Sequence, residues 1–123
     1  MNWRLEYYNK ELQSLILDMS AELQARYIHY TDRMERYGAN LGMPHTRAMG
    51  EGLFELRLRG EANIARVFYC TLAGKRIVML HAFIKKTQKT PASELEIARR
   101  RMAEVKKRDA ESQETKRKDP GQP

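Results

Sequence analysis

The sequence has few of the residues that crosslink a chain or anchor it in a membrane. It contains one cysteine, Cys70, in 123 residues, so no disulfide can form within the chain and a reducing compartment is its natural setting. No apolar run approaches the ~20 residues that a membrane-spanning helix needs. No basic stretch followed by an apolar run marks a secretion signal. We therefore expect a cytoplasmic protein without a membrane partner.

Metal-binding and nucleotide-binding motifs are also missing. The three histidines, His29, His45 and His81, are predicted to lie in a helix, a loop and a strand, without ligand-like spacing. No glycine-rich phosphate loop joins a strand to a helix. We therefore predict no metal site and no cofactor. Cys70, in the middle of a predicted strand, is expected to be a buried structural thiol instead of a nucleophile.

Positive charge is abundant, and it is concentrated in one segment. The formal net charge is +7, yet residues 1–50 carry six basic and six acidic side chains. Residues 57–89 carry eight basic side chains and a single acidic one, Glu61. Such a concentration favours a polyanionic partner such as nucleic acid, and a solvated basic surface is the alternative.

Hydrophobic periodicity in the N-terminal half predicts one strand and a helical region. Residues 2–8 are rich in aromatics and partly alternate, which is typical of a short strand. Apolar residues then recur every three or four positions over residues 10–37. One long helix and a helical pair with a second start at Ser20 both fit this stripe, and we expect the pair. Residues 38–52, with four glycines and a proline, are predicted to be a loop.

After this loop the spacing of apolar residues changes from a helical period of 3.6 residues to a period of 2, which predicts a sheet. Three strands are expected, over residues 53–59, 64–72 and 76–84, followed by a helix that begins near Ser93. We predict an α+β domain over residues 1–108, with helices on one face of an antiparallel sheet. Residues 109–123 have almost nothing to bury and are predicted to be a disordered tail.

Several basic residues of the predicted sheet can act together. Arg57 and Arg59 share one side of their strand, since side chains two apart share a face. Arg66 lies in an otherwise apolar strand, where an unpaired charge is costly. It must pair with a carboxylate such as Glu55, reach an open edge or face a groove.

The end of the sheet carries further candidates. Lys85, Lys86 and Lys89 form a cluster able to bind phosphates, and an unordered solvated loop is the alternative. His81 is predicted to share a face with Met79, Phe83 and Lys85. It is either a packed, hydrogen-bonded histidine or a proton-transfer group.

Basic side chains on a sheet can cleave RNA without a metal ion. RNA carries its own nucleophile, the 2′-hydroxyl next to the scissile phosphate. The protein has to orient that hydroxyl, stabilise the charge of the phosphorane and move protons. Arginine suits the second task because its planar fork binds two phosphate oxygens together.

The residues that carry these features resemble a known family. The runs over residues 52–57, 66–69 and 80–91 resemble the phage-derived Gp49-like group of HigB toxins, in the RelE/ParE toxin superfamily. The resemblance covers residues 3–107, and its most specific part is the Lys-Thr-Gln-Lys-Thr-Pro stretch at 86–91. It implies helices packed against a curved antiparallel sheet, which agrees with the predicted element order.

The resemblance implies a toxin of a type II toxin–antitoxin pair. Many relatives are ribosome-dependent, metal-independent mRNA endoribonucleases that inhibit translation. Their antitoxin in HigB systems is a helix-turn-helix, HigA-like protein, so DNA would be contacted only through that partner. Two alternatives remain open. One is a ParE-like DNA gyrase poison, and the other is an inactive prophage module with a nucleic-acid-binding or regulatory role.

The resemblance also implies residue roles. Arg57 matches a basic residue on the second strand of RelE-type enzymes, and Arg66 matches an arginine that contacts the scissile phosphate. Lys86 falls near a basic residue proposed as general acid, and the use of histidine in HigB enzymes makes His81 a further catalytic candidate. We expect the remaining basic residues of the segment to bind RNA or the ribosome, namely Arg59, Lys75, Arg76, Lys85 and Lys89.

The sequence departs from the RelE pattern at two points. Glu55 stands where RelE-type enzymes have a second lysine. No aromatic residue follows Phe83, so the C-terminal tyrosine that stacks on a base has no counterpart. The general acid and the general base are therefore unassigned.

Overall fold

The computed structural model describes residues 2–85 and 90–118. Its elements are β1 (Arg4–Tyr7), α1 (Lys10–Leu17), α2 (Ala21–Tyr37), β2 (Thr46–Gly50), β3 (Leu53–Arg59), β4 (Ile64–Leu72), β5 (Arg76–Lys85) and α3 (Ala92–Lys118). The strands form one sheet in the order β1-β5-β4-β3-β2. β1 lies parallel to β5, and the other neighbours are antiparallel. The predicted α+β class is confirmed.

The apolar stripe of the N-terminal half folds as two helices. α1 begins where Asn9 Oδ1 accepts a hydrogen bond from the backbone N–H of Leu12 at 2.8 Å. α2 begins where Ser20 Oγ accepts one from the N–H of Leu23 at 3.3 Å. The predicted helical pair is confirmed, with Ser20 as the N-cap of its second member.

The loop predicted over residues 38–52 contains an additional strand. β2 pairs antiparallel with β3 from Thr46, opposite Leu56, to Gly50, opposite Leu53. It is short and contributes an edge to the sheet, and its sequence Thr-Arg-Ala-Met-Gly lacks apolar alternation. Periodicity therefore gives no signal for this strand, because an edge strand need not bury one complete face.

Two hydrophobic cores lie on opposite faces of the sheet. The first joins α1 and α2 to the sheet and includes Leu12, Ile16, Leu23, Tyr27, Leu56, Leu58, Val67 and Met79. The second joins α3 to the other face and includes Leu53, Phe68, Cys70, Leu80, Ala98, Met102 and Val105. The prediction that all helices lie on one face is wrong. Adjacent residues of β4 are apolar and fully buried, so both faces of the sheet need a helical cover.

α3 is longer than the sequence indicates. It continues to Lys118, through the region where a disordered tail was predicted to begin at Asp109. The carboxylate of Asp109 accepts hydrogen bonds from both terminal nitrogens of Arg76, at 2.8 and 2.9 Å. This ion pair joins a run of good helix formers to the sheet, so the tail prediction is wrong for residues 109–118. Residues 119–123 lie outside the described part of the chain.

Candidate nucleic-acid interface

Three side chains form a buried ion cluster where β3 ends and β4 begins. Arg57 lies directly opposite Arg66 across the two strands. Glu55, two residues before Arg57, places its Oε2 3.6 Å from Nε of Arg66 and its Oε1 3.9 Å from Nε of Arg57. Thr90 Oγ1 donates a hydrogen bond to the same carboxylate at 3.0 Å. We call Glu55, Arg57 and Arg66 the arginine cluster. The Glu55–Arg66 ion pair, one of the alternatives open from sequence, is present.

The surroundings of this cluster carry more positive than negative charge. The side chains of Glu55 and Arg66 are each only 2% exposed. Burial lowers the pKa of Lys85, and the nearby charge of Arg66 lowers it further. Burial likewise lowers the pKa of the Arg66 guanidinium, which the Glu55 carboxylate opposes. Within the described residues, the Glu55 carboxylate interacts with Arg57 and Arg66, and its charge also acts on Lys85. A further anion in this basic environment would be stabilised.

An open groove lies beside the cluster. It has a volume of about 370 Å³ and lies between α2, residues 44–45 and the adjoining ends of β3 and β4. Arg57, Arg59 and Arg66 line it, and we call it the arginine groove. Arg66 Nε is buried and has no hydrogen-bond partner within the described residues, since the 3.6 Å separation from Glu55 is too long for one. Because this nitrogen is enclosed by the protein, the nearby Glu55 carboxylate is what offsets its buried charge.

Two rings that contact each other at a tilt line another part of the arginine groove. The centroids of the Tyr30 and His45 rings are 4.6 Å apart, with 38° between their planes. The backbone carbonyl of His45 accepts a hydrogen bond from the N–H of Arg57 at 2.8 Å, which fixes the rings beside the arginine cluster. Tyr30 belongs to the apolar stripe over residues 10–37, and His45 to the predicted loop. The packing of α2 against the sheet and the hydrogen bond from Arg57 to His45 bring the two rings together.

His81 makes a separate contact, with the start of α3. Its Nε2 lies 2.6 Å from Oε1 of Glu94. The pairing of β4 with β5 shifts register between Phe68 and Tyr69, so residues before and after this bulge alternate differently. As a result Met79 packs in the α1/α2 core while His81 contacts α3, so the predicted shared face is wrong for Met79. It is confirmed for Phe83, whose ring centroid lies 6.1 Å from that of His81. Within the described residues, His81 is not part of the lining of the arginine groove.

The basic residues of the β4–β5 turn lie far from the arginine cluster. Arg76 pairs with Leu72, six positions along β4 from Arg66, which corresponds to about 20 Å. Its guanidinium is held by Glu6, at 3.3 Å, and by Asp109. The structure therefore does not bring Arg76 or its neighbour Lys75 into one site with Arg66.

The other predicted lysines divide into two groups. Lys85 ends β5 as a buried residue beside the arginine cluster, close enough for the charges of Arg66 and Glu55 to shift its pKa. Lys86 and Lys89, predicted for catalysis and RNA binding, lie outside the described residues. Their roles stay predictions.

The described parts of the chain offer neither a metal site nor a membrane span. No group of three or more His, Cys, Asp or Glu side chains is arranged to hold a metal ion there. None of the helices in residues 2–85 and 90–118 combines the length and the apolar character needed to cross a bilayer.

Cys70 has the environment of a structural thiol. It is fully buried on β4, in the core beneath α3. Burial raises its pKa to about 11, so the nucleophilic thiolate is scarce at neutral pH. The prediction of a buried, structural cysteine is confirmed.

Residues 14–103 match the family described as "Phage derived protein Gp49-like". The chain belongs to this family. This confirms the resemblance to the phage-derived Gp49-like group. The free-state structure of an E. coli RelE toxin variant in which two arginines are replaced by alanine is similar to this chain. The TM-score is 0.59, and the match covers 82% of this chain and 98% of that chain. Sequence identity is 10%, so the likeness concerns the fold alone. No curated protein matches the sequence significantly.

The Gp49-like segment contains all the site features described above. The arginine cluster, the Tyr30–His45 ring pair and the His81–Glu94 contact all fall within residues 14–103. The C-terminal part of α3, including the Asp109 ion pair, lies beyond that segment.

Proposed function

We propose that this Gp49-like protein is the toxin of a type II toxin–antitoxin pair and that it cleaves mRNA on the ribosome, which inhibits translation. The observation that carries the proposal is the arginine cluster. Two arginines face each other around one buried carboxylate, and both belong to the lining of an open groove. A phosphodiester fits such a site because its oxygens accept from several guanidinium nitrogens together.

The cluster suits a cleavage that uses the 2′-hydroxyl of RNA as nucleophile. As the hydroxyl attacks, negative charge grows on the phosphorane oxygens, and fixed buried cations stabilise that charge more than they stabilise the substrate. Arg57, 20% exposed, is positioned to reach the phosphate first, and buried Arg66 supplies the donor beneath it. Glu55 holds both guanidinium groups in place.

Proton transfer is assigned to His81 and Lys86 within this proposal. Because the Glu94 carboxylate can only accept, Nε2 of His81 carries the proton in their hydrogen bond. Nδ1 of a neutral His81 is then the atom free to exchange a proton. Lys86 follows β5 directly in the sequence and is the second candidate acid.

The proposed partners follow from the family. The neutralising partner is a HigA-like helix-turn-helix antitoxin, and contact with DNA occurs only through that protein. The toxin acts in the cytoplasm, where its substrates, the ribosome and mRNA, are found. Arg59 and Lys85, beside the arginine cluster, are proposed to assist in RNA binding, together with Lys89.

Mapping of mRNA 5′ ends shortly after induction of the protein tests the proposal. New in-frame cuts are expected for the wild type. Arg57→Ala and Arg66→Lys should lower cleavage by about 10²–10³-fold, since each removes a fixed donor to the phosphorane. Arg36→Ala is the matched control, because Arg36 is exposed on α2 and pairs only with Asp32 at 3.7 Å within the described residues.

Other results would move the protein to another class. Growth arrest with DNA-damage signalling and no new RNA ends would indicate a gyrase poison. Absence of arrest with the unaltered, folded protein would indicate an inactive nucleic-acid-binding or regulatory module. Thermal unfolding of each variant separates loss of activity from loss of folding, which matters most for buried Arg66.

A further inference from the structure

β1 leaves one edge of the sheet open. It is the outermost strand on the side of β5, and the N–H of Tyr8 donates to the carbonyl of Met79 at 2.8 Å. Since the backbone groups of successive residues point to opposite sides of a strand, those of Leu5 and Tyr7 point away from β5. Within the part of the chain that the structure describes, no strand pairs with them. An edge of this kind is a template for another strand.

The open edge has a defined length. At its start, the N–H of Trp3 donates to the carbonyl of Glu35 at 2.8 Å, so the end of α2 closes the edge there. At its other end, β1 stops at Tyr7 and α1 follows. A strand that pairs here can therefore use the carbonyl of Trp3 and the main-chain groups of Leu5 and Tyr7.

The side chains along this edge alternate between two chemical classes. Trp3, Leu5 and Tyr7 are partly buried and pack against the core under α1 and α2. Arg4 and Glu6 point to the opposite face, where their side chains are 71% and 36% exposed. In both directions of the chain, the order is aromatic, charged, leucine, charged, aromatic, and the two charges are opposite. Such an order is complementary to its own antiparallel copy.

We propose that two copies of this chain associate through the β1 edge, with their β1 strands antiparallel about a two-fold axis at Leu5. In this register Leu5 lies opposite Leu5 of the second copy, Arg4 lies opposite Glu6, and Trp3 lies opposite Tyr7. A two-fold axis at Glu6 would also bring outward-facing backbone groups together. It would place the two Glu6 carboxylates directly opposite each other, and like charges in that position are destabilising.

The pairing combines main-chain and side-chain contacts. The N–H of each Leu5 donates to the carbonyl of the other Leu5, and the N–H of each Tyr7 donates to the carbonyl of the opposite Trp3. Cross-strand pairs of opposite charge and of aromatic rings stabilise antiparallel strands. Each copy carries a net charge of +7, but at 0.15 M salt the repulsion between charges more than about 8 Å apart is largely screened. A short contact of this kind is typical of weak association, so we expect a dissociation constant in the micromolar range.

The interface does not involve the arginine cluster. β5 lies between β1 and β4, which carries Arg66, and β3, which carries Glu55 and Arg57, lies one strand further away. In the dimer the two sheets form one continuous sheet, and α3 and its copy lie on the same face of it. The proposal concerns assembly and is independent of the proposed cleavage reaction.

Sedimentation velocity of the full-length protein from about 5 to 500 µM, in 0.15 M NaCl, tests the association. The wild type should sediment as a monomer at the lowest concentration and increasingly as a dimer at the highest. The fluorescence emission of Trp3, the only tryptophan of the chain, should shift over the same range, because its ring lies at the proposed interface.

A charge reversal tests the pairing of Arg4 with Glu6. Arg4→Glu places like charges opposite each other at two symmetric positions and should weaken the association about 10-fold or more. Arg100→Glu makes the same change at an exposed position of α3 and should leave the association unchanged. Thermal unfolding checks that both variants are folded.

A crosslink at Leu5 tests the register. Opposed residues that exchange both hydrogen bonds have Cα atoms about 5.5 Å apart, which a disulfide can span. Under mild oxidation at about 100 µM, the Leu5→Cys protein should form a covalent dimer. The Arg100→Cys protein is the control for random collision and should remain largely monomeric. Native Cys70 is fully buried and does not compete.

The outcomes decide the proposal without reference to catalysis. A wild type that stays monomeric at every concentration refutes it and would leave this edge to a strand of another protein. A dimer that Arg4→Glu leaves intact also refutes it, as does equal crosslinking of the Leu5→Cys and Arg100→Cys proteins, because either result places the contact elsewhere. Cleavage of mRNA and its dependence on Arg57 are measured separately, so failure of one proposal does not imply failure of the other.

Discussion

Replacing Glu55 by glutamine is a direct perturbation of the arginine cluster. The side chain keeps its size and polarity but loses its charge. In the native protein the carboxylate lies between Arg57 and Arg66, and both it and Arg66 are almost completely shielded from solvent. Water therefore cannot take the place of the lost charge, and the two guanidinium groups lose the carboxylate that lies between them.

The expected cost follows from the two separations. At 3.6 and 3.9 Å, each Glu55–arginine pair contributes about 4–5 kcal/mol of Coulomb attraction at an effective dielectric constant near 20. Part of this is offset, because the glutamine no longer has to be desolvated as an ion. Removal of one partner of a buried ion pair typically costs about 3–5 kcal/mol. For a domain of this size that corresponds to a fall in Tm of more than about 10 °C.

Urea and thermal unfolding of the two proteins measure this cost. Glu111→Gln, an exposed carboxylate on α3, serves as the control and should change the free energy of unfolding by less than about 0.5 kcal/mol. Adding Arg66→Met to Glu55→Gln should recover part of the lost stability, because one unbalanced buried cation is removed. A loss below about 1 kcal/mol for Glu55→Gln would refute the reasoning, since it would mean that the arginines reach solvent or another anion.

Three further predictions concern other parts of the molecule. Native Cys70 should be alkylated by iodoacetamide at pH 8 only as fast as the protein unfolds, because it is buried and its pKa is raised to about 11; a rapid phase in the folded protein would contradict this. Burial raises the pKa values of Tyr27 and Tyr69 above that of free tyrosine, so their contribution to stability is complete below pH ~10 and should be lost as the pH rises further. Urea unfolding at pH 9 and 11 should show this fall, and Tyr69→Phe should reduce it, whereas an equal fall in the variant would exclude Tyr69. Truncation before Asp109 removes one of the two carboxylates that pair with Arg76 and should lower the free energy of unfolding by about 1–3 kcal/mol. Growth arrest on induction should persist. Loss of arrest in a folded truncated protein would instead give the C-terminal segment a functional role.

The elements that the sequence predicts well are those with a strong periodic signal. The helical pair is recognisable because apolar residues recur at helical spacing and because Ser20 supplies a second N-cap. β3, β4 and β5 are recognisable because their apolar positions alternate or form continuous runs. These features depend only on local sequence and on burial of one face, so they need no knowledge of the partners across the fold.

The sequence does not show which face of the sheet each helix covers. Apolar residues at successive positions of β4, such as Val67 and Phe68, indicate that both faces are buried, but they do not say which helix covers which face. α3 continues past the last residues of its apolar stripe, and Asp109 connects it there to Arg76, 33 positions earlier in the sequence. Hydropathy of the last residues carries no information about such a contact.

The site depends on the elements that local rules describe poorly. β2 is short and begins only at Thr46. The residue before it, His45, accepts a hydrogen bond from the N–H of Arg57. The bulge in β5 directs His81 toward α3, away from the face that simple alternation predicts. Arg66 breaks the apolar pattern of β4, and its charge is accepted only because Glu55 lies on the neighbouring strand. The position of His45 and the charge of Arg66 contribute to the arginine groove, whereas His81 lies outside its lining. Natural chains depart from local rules mainly at functional sites, so the two departures at the groove support the proposal that it binds substrate.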